Sequence, residues 1–108
     1  MVIMKDEIFL WIDDIRDPDY SRVPAGVPIF VISRFDQAIR TIDLAIAAED
    51  FIYIDFDHDL QSKKTGYDIA KHIVESQYKD IKYNIHSMNP VGKKNIDDLL
   101  SHYGHKTF

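Results

Sequence analysis

The chain has 108 residues, 45% of them hydrophobic and 29% charged, the size and make-up of one soluble globular domain spanning residues 1–108. Its formal charge is −5, so it lacks the basic face that non-specific binding to long nucleic acid or to an anionic membrane requires. There is no cysteine, hence no disulfide or thiolate chemistry. Lys5, Asp6 and Glu7 break the first apolar stretch too early for a signal peptide or a membrane span, so a cytoplasmic protein is the expectation.

Ile8 to Ile12 is a short, continuously apolar run of the kind found in doubly buried strands, and it ends in Asp13-Asp14. Asp17-Pro18-Asp19 and Pro24-Ala25-Gly26 then mark an irregular connection with turn chemistry where a parallel crossover would carry a helix. Pro28 opens a second strand, Ile29 to Ile32, rich in β-branched residues. Ser33 has the chemistry of an N-cap for a helix bearing Phe35, Ala38, Ile39, Ile42 and Ile46 at helical spacing. A third strand, Phe51 to Phe56, runs into Asp57-His58-Asp59.

Positions 61–66 read as a polar loop, and Thr65-Gly66-Tyr67-Asp68 leads into a helix with Ile69, Ile73 and Val74 inward. A fourth strand, Lys82 to His86, is followed by Ser87-Met88-Asn89-Pro90. A last helix then carries Ile96, Leu99, Leu100 and Tyr103, with Gly104 as its stop. The order β-β-α-β-α-β-α predicts a three-layer α/β domain, a mostly parallel sheet of about four strands with helices on both faces.

In an open α/β sheet, ligands lie beyond the carboxyl ends of the strands. Asp13, Asp14, Asp57 and Asp59 arrive there and supply −4 of the −5 net charge. Clustered carboxylates suit a hard divalent cation, which prefers oxygen ligands. Asp57 is the best single metal ligand, with Asp13 or Asp14 as partner and Asp55 a weaker candidate. Mg2+ is the expected ion and Mn2+ the second choice, while a transition metal using His58 or His86 ranks lower.

His58 and His86, each beside an acid or a hydroxyl at a strand end, suit proton exchange with a phosphoester oxygen, and Asp59 completes the catalytic set. Strand alternation would send His58 away from Asp57 and Asp59, so the loop must bend for all three to converge. Arg16 has the geometry to clamp a phosphate. Ser87, Asn89, Gly92 and Lys93 surround a helix amino terminus, where free N–H groups favour anions. The dull alternatives are a turn for Asp13-Asp14, a surface ion pair of Arg16 with Asp17 or Asp19, and simple capping for the segment from Ser87. Trp11 reads as core.

An acidic pair ending strand one, an Asp ending strand three and a Ser ending strand four resemble the response-regulator receiver, a flavodoxin-like fold. More specifically, Leu10-x-x-Asp13-Asp14-x-Arg16-x-Pro18, Asp57-His58-Asp59-Leu60, Thr65-Gly66-Tyr67-Asp68 and His86-Ser87-x-Asn89-Pro90-x-Gly92 are similar to the cyclic-phosphate-processing receiver-like domains of bacteria and phages. The resemblance runs from Leu10 to about Leu100. It implies a metal-assisted phosphoesterase acting on a cyclic phosphate of a nucleotide or an RNA end, in the host cytoplasm if phage-encoded.

Two departures stand out. Gln61 replaces the glycine usual after Asp-His-Asp-Leu, and no fifth apolar strand ends in the Lys-Pro of phosphoacceptor receivers; Lys106 sits two residues from the chain end. The runner-up reading is a catalytically silent receiver-like module binding a nucleotide or a protein partner. A phosphoacceptor ranks last.

Overall fold

The computed structural model describes residues 5–60 and 63–108; Gln61 and Ser62, which open the expected polar loop, lie outside the described residues. The elements are β1 (Glu7–Ile12), a short 3-10 turn (Tyr20–Arg22), β2 (Ile29–Ile32), α1 (Phe35–Ala47), β3 (Phe51–Phe56), α2 (Gly66–Ser76), β4 (Ile81–Ile85), α3 (Pro90–His102) and β5 (Lys106–Thr107). They form one five-stranded sheet in the order β2-β1-β3-β4-β5, every neighbouring pair parallel. The chain leaves β1 towards one edge, then returns across it to build outward from β3. That reversal opens a crevice at the carboxyl ends of β1 and β3, where α/β sheets of this order bind their ligands.

Alternation along the strands sorts the side chains. Leu10 and Ile12 face the same way as Ile52, Ile54 and Phe56 and as Ile81, Tyr83 and Ile85. These join the inward residues of all three helices in one core: Ala38, Ile42 and Ala45; Ile69, Ala70 and Ile73; Ile96 and Leu100. The opposite face carries Phe9, Trp11, Tyr53 and Asp55. Helices were expected on both faces; all three α-helices instead pack on the first, and the second is covered by the 14–28 connection with its 3-10 turn. On this second face Phe108 meets Phe9 and Tyr53 edge-on, at ring separations of 5.5 and 5.4 Å, and Arg22 of the 14–28 connection reaches Asp55.

Helix starts decide how the strand ends are held. Arg34, not Ser33, occupies the N-cap of α1, and its side chain makes no capping bond. At α2 the Asp68 carboxylate accepts from the Thr65 amide at 2.8 Å and from its hydroxyl at 3.3 Å, a reciprocal local arrangement that needs no outside partner. Asn89 caps α3 by accepting from the Gly92 amide at 2.9 Å, with Pro90 at the first helical position.

The 14–28 connection returns parallel through its 3-10 turn, and β5 adds a fifth strand to the four expected from sequence. It escapes pattern reading because it is two residues long. Its register sets Lys106 opposite Lys82 and Thr107 opposite Tyr83. Lys106 thus pairs near the start of β4, not at the carboxyl end where the acids gather.

His105, just before β5, is 4% exposed, and its Nδ1 has no partner among the described residues. Burial lowers its pKa, opposed by a hydrogen bond that the ring donates to the Ile81 backbone and aided by nearby Lys79. Above the ordinary value of about 6.5 the ring is neutral in both folded and unfolded chains. As pH falls below it, the unfolded chain gains a proton first, so stability drops, by at most about 1.4 kcal/mol per pH unit for one group. Urea titrations from neutral to mildly acidic pH should give a flatter decline for His105→Leu than for wild type; parallel declines would contradict this account.

Candidate metal and phosphate site

Backbone ladders carry the order of the sheet one residue past each strand. The Asp57 amide donates to the Ile12 carbonyl at 2.8 Å, and the His86 amide donates to the Phe56 carbonyl at 2.9 Å. This brings Asp13-Asp14, Asp57 and His86 together in fixed register. Asp13 is 3% exposed and Asp57 7%. One carboxylate oxygen from each of Asp13, Asp14 and Asp57 lies within 4.8 Å of the other two.

Three carboxylates that close repel one another unless something opposes it. Asp13 is well supported: its Oδ1 accepts from the amides of Ile15 at 2.8 Å and Arg16 at 3.0 Å, and its Oδ2 faces His86 Nε2 at 2.9 Å. Burial alone would raise the Asp13 carboxyl, but those amides and His86 outweigh it and hold it below the usual carboxylate range. Asp14 lacks such help. Its Oδ1 is buried with no hydrogen-bond partner among the described residues, a costly state for a polar atom. An all-oxygen donor set with one unsatisfied buried oxygen fits a hard divalent cation such as Mg2+ or Mn2+.

His86 is fixed on every side. Its Nδ1 lies 2.6 Å from Asp55 Oδ1 and its Nε2 2.9 Å from Asp13 Oδ2, and the side chain is only 6% exposed. Trp11 stacks on it with ring centroids 4.0 Å apart and an interplanar angle of 3°. The other Asp55 oxygen accepts from Arg22 Nη1 at 3.1 Å. An unbroken chain of ionisable side chains in hydrogen-bond contact, Arg22–Asp55–His86–Asp13, therefore runs beneath the acid cluster. Asp55, a weaker metal candidate in the sequence, spends both oxygens there and is not one of the three clustered acids. Arg22 was not expected at all.

His58 behaves as alternation requires and lies on the helix side of the sheet. Its ring presses on α3 at Gly92, where an added Cβ would come within 2.3 Å of His58 Cγ. Gly66 does the same for the backbone: its amide donates to the His58 carbonyl at 2.9 Å, and a Cβ there would lie 2.4 Å from the Asp57 carbonyl oxygen. The loop bends enough for His58 Nδ1 to meet Asp59 Oδ1 at 2.9 Å, and Asn89 Nδ2 donates to the same oxygen at 3.3 Å. The His58 contact, with Asn89 in support, pulls the exposed Asp59 carboxyl below its ordinary range.

A cavity of about 300 Å³ opens over these groups, bounded by Asp14, Arg16, Asp57, Asp59 and the exposed Met88 among others. Arg16 forms no ion pair with Asp17 or Asp19; one of its nitrogens donates to the His86 carbonyl at 2.6 Å. The Arg16 carbonyl in turn accepts from buried Trp11 at 3.1 Å.

Neither the His58 nor the His86 ring is among the walls of this cavity; Asp59 connects His58 to it, and His86 contacts Asp13, which is not a wall either. Of the expected phosphate ligands, Ser87 Oγ accepts from the Asn89 amide at 3.0 Å, Asn89 caps α3 and Gly92 seats His58. Lys93 is exposed, with its backbone amide donating to the Asn89 carbonyl at 2.9 Å, and Lys94 is paired with Asp98 at 2.6 Å.

Among comparisons with known proteins, the family model described as the cyclic-phosphate processing receiver domain matches residues 8–102. No curated protein matches the chain, and no solved structure does. The matched span contains all the strand ends and both glycine contacts that shape the site. The chain belongs to the cyclic-phosphate processing receiver domain family.

Proposed function

We propose that the chain is a metal-assisted phosphoesterase that opens a cyclic phosphate on a nucleotide or an RNA end. The observation that carries the reading is the close set of Asp13, Asp14 and Asp57 at a cavity that also contains Arg16 and Asp59. A bound Mg2+ would supply Lewis-acid polarisation of the phosphoryl group and a more acidic bound water.

The rest of the chemistry falls to the protein. Arg16 offers guanidinium donors to the non-bridging phosphate oxygens. Asp59, kept ionised by His58, takes a proton from the attacking water. The water oxygen bonds to phosphorus, one ring P–O bond breaks, and the released ribose oxygen takes its proton back from the His58–Asp59 pair. The product is a phosphomonoester. His86 acts here as a positioning residue, since both of its nitrogens already face carboxylates.

A silent binding module is the second reading, favoured by the absence of both histidine rings from the cavity wall. Phosphorelay ranks below both, because Lys106 lies at the wrong end of β4 to contact a phosphoryl group. In that case a small phosphodonor would leave a stable adduct on Asp57, detectable by intact mass.

Mg2+ or Mn2+ should raise the melting temperature of wild type by mass action. Asp57→Asn should remove most of that shift without harming the metal-free fold; equal shifts in both proteins would contradict the metal site. Once a substrate is in hand, His58→Ala should lower kcat by roughly 10²–10⁴-fold, the usual range for a positioned acid or base. His86→Ala should instead unsettle the fold by about 3 kcal/mol, because it removes the shared partner of two buried carboxylates, leaving Asp55 to Arg22 alone and Asp13 to two backbone amides. A His86→Ala protein of wild-type stability would contradict its positioning role.

A further inference from the structure

A second cavity, of about 550 Å³, adjoins the first and shares Asp14 as a wall. It is bounded by Ser33, Arg34, Phe35 and Asp36 at the start of α1 and by Lys63 and Lys64 after β3. Its volume falls within the range of small-molecule sites. The two cavities carry opposite charge. Around the first, Arg16 faces Asp14, Asp57 and Asp59, so acids dominate. Around the second, Arg34, Lys63 and Lys64 outnumber Asp14 and Asp36.

Among the described residues the Arg34 side chain pairs with Asp36 alone, at 3.3 Å, with both side chains well exposed at 75% and 62%. Such a surface pair is weak and readily exchanged for a better anion. The Lys64 ammonium lies 5.9 Å from the centroid of the Phe35 ring, which joins charge and aromatic surface on one wall. Backbone donors add to this, because α1 begins without a side-chain cap.

We propose that this second cavity binds a second phosphate of the substrate, placed one nucleoside away from the cyclic phosphate in the first. The inference rests on the reading of the first cavity as the cyclic-phosphate site, and it narrows the substrate class. A mononucleoside cyclic phosphate fills one cavity only. A nucleotide that also carries a phosphate on its other side, as a monoester or as the phosphodiester of an RNA end, spans both. Phe35 gives the intervening base an aromatic surface, and such stacking tolerates any base.

Calorimetric binding with Ca2+ in place of Mg2+, to slow turnover, tests the proposal. The probes are uridine 2′,3′-cyclic phosphate, the same compound with a 5′-phosphate, and a uridine dinucleotide ending in the cyclic phosphate. At least one two-phosphate probe should bind about tenfold tighter than the one-phosphate probe, the equivalent of about 1.4 kcal/mol. Arg34→Ala/Lys63→Ala should abolish that gain while leaving the one-phosphate probe within about twofold of its wild-type affinity. A gain with the 5′-phosphate would identify a monoester as sufficient; a gain confined to the dinucleotide would identify an RNA end. Equal affinity for all three probes, or a gain that survives the double substitution, would overturn the subsite alone. Failure of every probe to bind would overturn the cyclic-phosphate reading and the subsite with it.

Discussion

An imidazole set between two buried carboxylates is the constraint on which this end of the molecule depends. Asp55 comes from the body of β3 and Asp13 from the end of β1, and neither can be desolvated cheaply alone. His86, arriving at the end of β4, satisfies both at 2.6 and 2.9 Å, and Arg22 completes the charge balance on Asp55. Three strands and the irregular 14–28 connection are thereby joined by side chains at the place where their backbone ladders end. With Asp13 held this way, Asp14 and Asp57 are left to face the cavity, Asp14 with a buried oxygen that has no partner among the described residues and Asp57 with one long bond from the Asp59 amide. On the proposed reading, a bound divalent cation would offset that deficit.

Glycine is the second constraint, at two positions where no side chain fits. Gly66 lets α2 approach the Asp57-His58 backbone, and Gly92 lets the His58 ring lie on α3. The loop after β3 is thus pinned by two helix starts, each capped by residues of its own chain segment. Asp59 stands at the turn of that loop, one side towards the cavity and the other held by His58 and Asn89. Such preorganisation suits the proton transfer proposed for this pair, since the geometry of a general acid or base must be in place before the reaction.

Much of this was legible in the sequence. Short apolar runs ending in Asp13-Asp14, Asp57-His58-Asp59 and His86 mark the strands and the residues that meet at their ends, because a parallel sheet delivers all such ends to one edge. The helix faces were legible from their 3.6-residue spacing. Other features depend on register across distant segments, which no local pattern encodes. The Arg22–Asp55 contact joins positions 33 apart across a segment with only turn chemistry, and β5 is too short to show alternation. The different surroundings of the two histidines follow from alternation at β3 and from the β3–β4 register at His86. Ser33 illustrates the limit at finer scale: its chemistry suits an N-cap, yet α1 starts one residue later.

The direct test of the central claim, that three strand-end carboxylates hold a divalent cation, is anomalous diffraction from crystals equilibrated with Mn2+. The account predicts a strong peak bounded by carboxylate oxygens of Asp13, Asp14 and Asp57, with Asp55 and His86 still engaged with each other. A saturating Mn2+ soak that leaves this position empty, or that places the ion on a histidine nitrogen instead, would contradict it.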